Sequence, residues 1–334
     1  MKTVVSIIIP VREINDYIRN ESLPAFEDQT YKNFEVIILP NTLHDTDKHL
    51  LVQYPFLRII PTDTMSRPAL KRDIGVRNAK GSILAFIDDD AYPQNNWLKK
   101  AVEIFNKKNI ACVCGPGVLP KNVNVWEQIF NEILISPVGS GGYEYRFTPQ
   151  ETRFVDDYPS VNFLITKKLF KQVGGFNNNF WPGEDSKLCN DIVYKEQQKI
   201  LYSPNVIVYH HRRNKLATYL AQHAQYGYHR GAFIAVGDKN SQKINYFLPS
   251  FFVFYCLFLF ITFHYRIPLF FFPFFTYLIL SFAIAFKASL QQKNMLFILA
   301  IPFVLFLTHI VYGVFFLKGF VVGFVKKDRI YKES

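Results

Sequence analysis

The chain has 334 residues, a formal net charge of +11, 34 phenylalanines and four cysteines. Its first 245 or so residues have a mixed composition, enough for one large α/β domain, whereas the part after Tyr246 is dominated by Phe, Leu and Ile. The charge suits anionic lipid and phosphorylated substrates. No nucleic-acid motif accompanies it, and the cysteines (112, 114, 189 and 256) form neither a zinc spacing nor a disulfide framework.

The N-terminal MKTVVSIIIPV is too short for a signal peptide and lacks a small-residue cleavage site, so it reads as a first strand over 4–9 and keeps the domain cytoplasmic. A helix over 16–26, strands over 35–39 and 57–61 and a helix over 69–79 follow. The apolar strand 83–87 then stops at Asp88, Asp89 and Asp90. Ligands of parallel α/β sheets bind beyond the carboxyl ends of such strands. Three adjacent carboxylates repel unless a cation lies among them, and hard oxygen ligands favour Mg²⁺ or Mn²⁺ carried by a substrate diphosphate. A solvated acidic turn is the alternative. A helix over 96–107 and a strand over 110–115 complete a βαβ rhythm, which predicts a mostly parallel sheet with helices on both faces. From Gly115 to Val161 few regular periods are visible, and functional loops are expected around Gly139-Ser-Gly-Gly142.

A second cluster follows Gly174-Gly-Phe176, in Trp181-Pro-Gly-Glu-Asp185. Glu184 and Asp185 open a helix whose dipole holds a carboxylate ionised, so they either accept a proton from a hydroxyl nucleophile or simply cap the helix. A third cluster is the strand end His210-His-Arg-Arg213, fit for a metal and a diphosphate, or for lipid headgroups as a basic turn. Residues 214–236 interleave aromatic and basic side chains, as an interfacial helix or as an amphipathic helix covering the sheet. Three apolar stretches, 247–263, 267–286 and 295–317, are each about 17 to 23 residues, the length that spans a bilayer. Lys287 and Lys293 fit the cytoplasmic side, but so does the basic tail (Lys318, Lys326, Lys327, Arg329, Lys332), which three crossings would leave outside. One stretch is therefore re-entrant or interfacial, 247–263 being the shortest candidate.

SIIIPV, PALKRDIGVRNAKG before AFIDDDAYP, VNFLITKKLFKQVGGFNNNFWPGED and the final Val-Tyr-His-His, in that order, resemble the family 2 glycosyltransferases of GT-A fold over 4–213. The sequence also looks like the membrane-associated branch that assembles bacterial polysaccharides and glycolipids, where similar hydrophobic segments follow the catalytic domain. The resemblance implies that Pro10 and Glu13 border the nucleotide base, that Arg72, Asp88, Asp89 and Arg212 contact the nucleotide-sugar, and that Asp88 and Asp90 hold the metal, completed by His210 or His211. It also implies Asp185 as catalytic base with Glu184 beside it. Asn41, in Leu39-Pro40-Asn41, stands where the family commonly has a base-reading Asp, which leaves the nucleotide open. Asp73 replaces the usual Asn after Arg72, and Lys187 an acid often found two positions beyond Asp185. Gln225 is followed by YGYHRG and not by the Gln-x-x-Arg-Trp motif of processive synthases, so transfer of a single sugar is expected.

The resulting expectation is a GT-A catalytic domain over 1–213, an amphipathic linker over 214–245 and a membrane domain over 246–334, in the cell inner membrane with the catalytic domain cytoplasmic. One displacement moves the sugar, with inversion, from a nucleotide-diphospho-sugar, expected to be a UDP-sugar, to a lipid-linked or glycan acceptor. A retaining route lacks a second nucleophilic carboxylate. A sugar nucleotidyltransferase would need a Gly-rich, Arg-bearing phosphate loop, which PVREINDY does not supply. A catalytically inactive membrane scaffold would have lost an acid, yet Asp88, Asp90 and Asp185 are all present.

Overall fold

The computed structural model describes residues 4–65, 67–108, 110–176, 183–265 and 267–325. Trp181, Pro182 and the tail cations Lys326, Lys327, Arg329 and Lys332 lie outside them. The described chain forms two units, one from residues up to Pro120 plus Thr148–His211, the other from Lys121–Phe147 plus Arg212 onward.

The first unit carries strands β1 (Val5–Pro10), β2 (Phe34–Leu39), β3 (Leu57–Ile59), β4 (Ile83–Ile87), β5 (Ala91–Pro93), β6 (Cys112–Cys114), β7 (Gly117–Val118), β8 (Arg153–Val155), β9 (Asn162–Thr166), β10 (Ile200–Tyr202) and β11 (Val208–His210). Eight of them form one sheet in the order β3-β2-β1-β4-β9-β6-β10-β8. The first four run parallel, as do β6 and β10, while β9 is antiparallel to β4 and β6, and β8 to β10. β1 and β4 are buried along their whole length, which is why they read as continuous apolar runs and not as alternating ones. Helices α1 (Pro68–Asn78) and α2 (Trp97–Lys108) belong to this unit, and Trp97 and Leu98 join Ile7, Ile9, Val36 and Ile38 in its core.

The antiparallel β9 is fixed by one polar side chain. Asn162, fully buried, accepts from Trp97 Nε1 (2.9 Å) and donates to the Gly115 and Val206 carbonyls (2.7 Å each). Such a satisfied buried amide sets geometry that apolar packing leaves loose. Because β9 pairs Asn162 with Ile87, the segment before it reaches the carboxyl end of β4. A small sheet, β5-β11-β7, lies just beyond that strand end in sequence, with His210 opposite Ala91. The chain runs from β1 outward to β2 and β3 and then returns to β4 on the other side of β1, so the switch point of the sheet lies between β1 and β4.

The second unit contains α3 (Val125–Leu134), a short helical turn at Pro137–Ser140, α5 (Leu216–Val236), α6 (Leu248–Thr262), α7 (Pro268–Gln292) and α8 (Leu296–Val325), the label α4 being kept for Glu184–Asn190 of the first unit. Helix α3 lies in the stretch read from sequence as irregular. Asn124 accepts from the N–H groups of Trp126 (2.8 Å) and Glu127 (3.1 Å), and Glu127 accepts from Asn124 N (3.3 Å), a complete capping box. Its face Ile129, Phe130 and Ile133 packs with Tyr219, Ala285, Ile301, Val304 and Leu305. Three helical stretches, Leu248–Tyr265, Pro268–Gln292 and Leu296–Val325, are long and apolar enough to cross a membrane. Helix α5 packs on α8: Gly227 and Gly231 meet the α8 backbone at Tyr312 and Phe316, and Gly319 and Gly323 meet Tyr228 and Ala232. His309 of α8 donates through Nε2 to the Val138 carbonyl (3.1 Å), which leaves Nδ1 to accept from Tyr277 Oη (3.1 Å).

Candidate functional site

Asp88, Asp89 and Asp90 follow the carboxyl end of β4, beside the switch point, and their side chains take three different roles. Asp88 Oδ1 accepts from Arg72 Nη2 (2.8 Å), and Arg72 Nη1 donates to Glu184 Oε1 (3.0 Å). Arg72 is only 4% exposed. Burial opposes its charge, but Asp88, Glu184 and Asp185 outweigh that cost and hold it protonated. Asp90 Oδ1 is 3.2 Å from His210 Nε2. Asp88, Asp90 and His210 each offer one ligand atom, all within 4.8 Å of one another. Two carboxylates and one imidazole suit a divalent cation such as Mn²⁺ or Mg²⁺. Asp89 instead accepts from Asn15 Nδ2 (2.7 Å), whose Oδ1 caps Ile18 N (2.9 Å).

The adjacent histidines are separated by strand geometry. His210 ends β11 and joins the Asp88 and Asp90 cluster, while His211 donates its backbone N–H to the Asp90 carbonyl (3.0 Å), sets Nε2 2.9 Å from Glu21 Oε2 and packs its ring against Tyr17. Alternation along an extended chain sends neighbouring side chains to opposite sides.

Glu184 and Asp185 open α4 after Gly183, whose φ of 123° takes the chain into the helix through a conformation that glycine tolerates. Glu184 Oε2 accepts from Gly183 N (3.1 Å), while Asp185 accepts from Ser186 N (2.8 Å) and, through Oδ2, from Ser160 N (3.3 Å). Burial first, then the charges of Glu184 and Asp157, push Asp185 up to about 7, with Arg72 pulling the other way. A carboxylate poised there exchanges a proton near neutral pH.

The remaining expected residues are spread more widely. Pro10 closes β1, buried, and Glu13 is exposed in the following loop. Asn41 donates its N–H to the Arg12 carbonyl (2.9 Å), joining the loops after β1 and β2, and its Oδ1 accepts from Lys71 Nζ (2.5 Å). Asp73 Oδ1 accepts from Phe176 N (3.1 Å), so this replacement of Asn holds the Gly174-Gly-Phe turn with the same geometry an amide oxygen would give. Arg212 belongs to the second unit, where its backbone N–H donates to Glu127 (3.3 Å), Nη2 donates to Asn131 (3.1 Å), and the guanidinium lies over Phe147. Sequence reading missed Asn15, Glu21, Lys71 and Asp157. None lies in a recurring spacing, and only the folded chain brings Asp157 within charge range of Asp185 and Glu21 against His211.

The family model described as Glycosyl transferase family 2 matches residues 6–174, about half of the chain. The chain is 25% identical over 330 residues, 96% of its own length and 98% of the relative's, to the dolichyl N-acetyl-alpha-D-glucosaminyl phosphate 3-beta-D-2,3-diacetamido-2,3-dideoxy-beta-D-glucuronosyltransferase of Methanococcus voltae. It is 32% identical over 192 residues to glycosyltransferase AglE of Haloferax volcanii, covering 54% of this chain and 58% of that one. Among solved structures, mannosyltransferase PcManGT from Pyrobaculum calidifontis, in complex with GDP-Man and Mn²⁺, matches with a TM-score of 0.50 at 17% identity, over 68% of this chain and 61% of that one. The fold is the GT-A type, with the mostly parallel sheet expected from the sequence.

Proposed function

Because this chain belongs to glycosyl transferase family 2, we propose that it moves one sugar, with inversion, from a nucleotide-diphospho-sugar to a lipid-linked acceptor at the cytoplasmic face of the cell membrane. The observation that carries this reading is the Arg72 bridge, which joins Asp88 to Glu184 and so makes the acidic strand end and the Glu-Asp helix one connected site. A sugar held between them would have its diphosphate on one side and Asp185 on the other.

Asp88, Asp90 and His210 would hold Mg²⁺ or Mn²⁺. When bound there, the cation neutralises charge that develops on the diphosphate as the sugar bond breaks. Arg72 keeps Asp88 and Glu184 in place, and its positive charge helps Asp185 lose its proton. Asp185 then takes the proton of the acceptor hydroxyl as that oxygen attacks the anomeric carbon. A single displacement inverts that centre. Pro10, Glu13 and Asn41 border the nucleoside, and a UDP-sugar is the first donor to try. Support for a lipid-linked acceptor comes from the three apolar helices and from the Methanococcus voltae relative, whose name gives a dolichyl phosphate sugar as its acceptor and whose length the match covers almost fully.

The test is hydrolysis of UDP-, GDP- and dTDP-sugars by the purified full-length protein with Mn²⁺, repeated with Asp90→Asn. Metal-dependent turnover of one donor is expected from the wild type and none from the variant, with both proteins folded. Equal turnover by the variant, or none from any donor by the wild type, would overturn the reading.

A further inference from the structure

Helix α1 borders two different spaces. Arg72 turns to the acidic strand end, whereas Leu70, Asp73 and Arg77, spaced three and four apart, line a separate cleft of about 580 Å³ within the first unit. The opposite wall is the short helix Lys167–Gln172 with the Gly174-Gly175 turn, and it contributes Lys167, Phe170 and Lys171. A cleft of this volume has the size of a small-molecule site.

The charges around it are unequal, since three cations, Arg77, Lys167 and Lys171, face one carboxylate. That carboxylate, Asp73, already accepts from Phe176 N (3.1 Å), and Lys167 Nζ donates to the Ala79 carbonyl (2.5 Å) at the end of α1. Arg77 and Lys171 are exposed and, among the described residues, make no hydrogen bond. A guanidinium and two ammoniums bordering one cleft favour an anion with several acceptor oxygens, and a phosphate can take two donors from one Arg. The apolar part of the lining, Leu70, Val76 and Phe170, favours a ligand that carries hydrocarbon beside its charge. None of these side chains is among those proposed above to hold the donor or the metal.

We propose that this cleft is a second, non-catalytic binding site for an organic phosphate, whose anion meets Arg77, Lys167 and Lys171 and whose apolar part lies against Leu70, Val76 and Phe170. A phospholipid headgroup and a soluble phosphate ester share that chemistry. Occupancy has a path to the catalytic acids, because Asp73 follows Arg72 on α1 and holds Phe176, whose ring centre lies 5.5 Å from the Arg72 guanidinium. The inference stands without any assignment of the donor.

The experiment is calorimetric titration of full-length protein in detergent with phenyl phosphate, in EDTA so that no cation site contributes. Saturable binding is expected, with inorganic phosphate at least about tenfold weaker because it buries no ring. Arg77→Gln combined with Lys171→Gln, both at exposed positions, should weaken phenyl phosphate by at least about tenfold and leave the melting temperature unchanged. Asp90→Asn should bind it as the wild type does. A second arm separates the two sources. Phosphatidic acid retained by the wild type and lost from the double variant in native mass spectrometry assigns a lipid headgroup, and equal retention by both assigns a soluble ester. No saturable binding of phenyl phosphate, equal affinity in the double variant, inorganic phosphate bound as tightly, or loss of binding in Asp90→Asn would each overturn the inference.

Discussion

Asp185 and Arg72 carry opposite risks, because one is tuned and the other is trapped. A base acts only when deprotonated. With Asp185 pushed up to about 7, kcat/KM should rise with pH through about 7 and level off above it. Asp157→Asn removes one of the charges that raise Asp185 and should move that limb to lower pH, read in a pH-rate profile. Asp185→Asn should lower turnover by about 10²–10⁴-fold, the usual range of acid–base catalysis, and leave donor affinity nearly unchanged. Retention of more than about a tenth of wild-type turnover would reduce Asp185 to a helix cap. Arg72→Met strands Asp88 and Glu184 beside each other without their shared cation and should destabilise the protein by about 3–5 kcal/mol, measured by thermal unfolding. The acids of the site were legible in the sequence because a strand that stops in three carboxylates is unusual. What each acid does was not, since Asp89 turns to Asn15 and His211 to Glu21 through pairings between residues 74 and 190 positions apart.

At the scale of elements, the parallel strands and the apolar helices were readable because both are continuous hydrophobic runs of the right length. Helix α3 is masked in the sequence by the glycines that follow it, which read as loops, although Asn124 and Glu127 carry the spacing of a capping box. The docking of α5 on α8 was also unseen, and its signal is Gly227-x-x-x-Gly231 facing Gly319-x-x-x-Gly323. A Cβ on Gly231 would stand 2.1 Å from the Phe316 carbonyl oxygen, and one on Gly319 1.8 Å from that of Tyr228. Gly231→Leu and Gly319→Leu should therefore push the helices apart at a cost of at least about 1–3 kcal/mol, seen as a lower melting temperature in detergent. Ala221→Leu, at an exposed position of the same helix, should leave it unchanged.

Over the whole molecule, the chain enters the second unit twice, first at Lys121–Phe147 and again from Arg212 onward. A protein ending near residue 245 would keep α3 but lose the Ile301, Val304 and Leu305 side chains that cover Ile129, Phe130 and Ile133. Such a truncation should need detergent to stay dispersed and should bind a dye specific for apolar surface, although the residues proposed to hold the donor diphosphate are all retained. A dispersed, dye-silent truncation would show that α3 folds back on something else. The same division governs how the protein is made. A ribosome releases Ile133 roughly 170 residues before Ile301, a wait on the order of ten seconds or more at common elongation rates. Until α8 emerges, the apolar face of α3 has only Tyr219 and then Ala285 of its partners and lacks Ile301, Val304 and Leu305, so it stays partly open to a chaperone or the lipid surface, and slowing translation between the two segments should lower the yield of folded enzyme more than slowing it before residue 121.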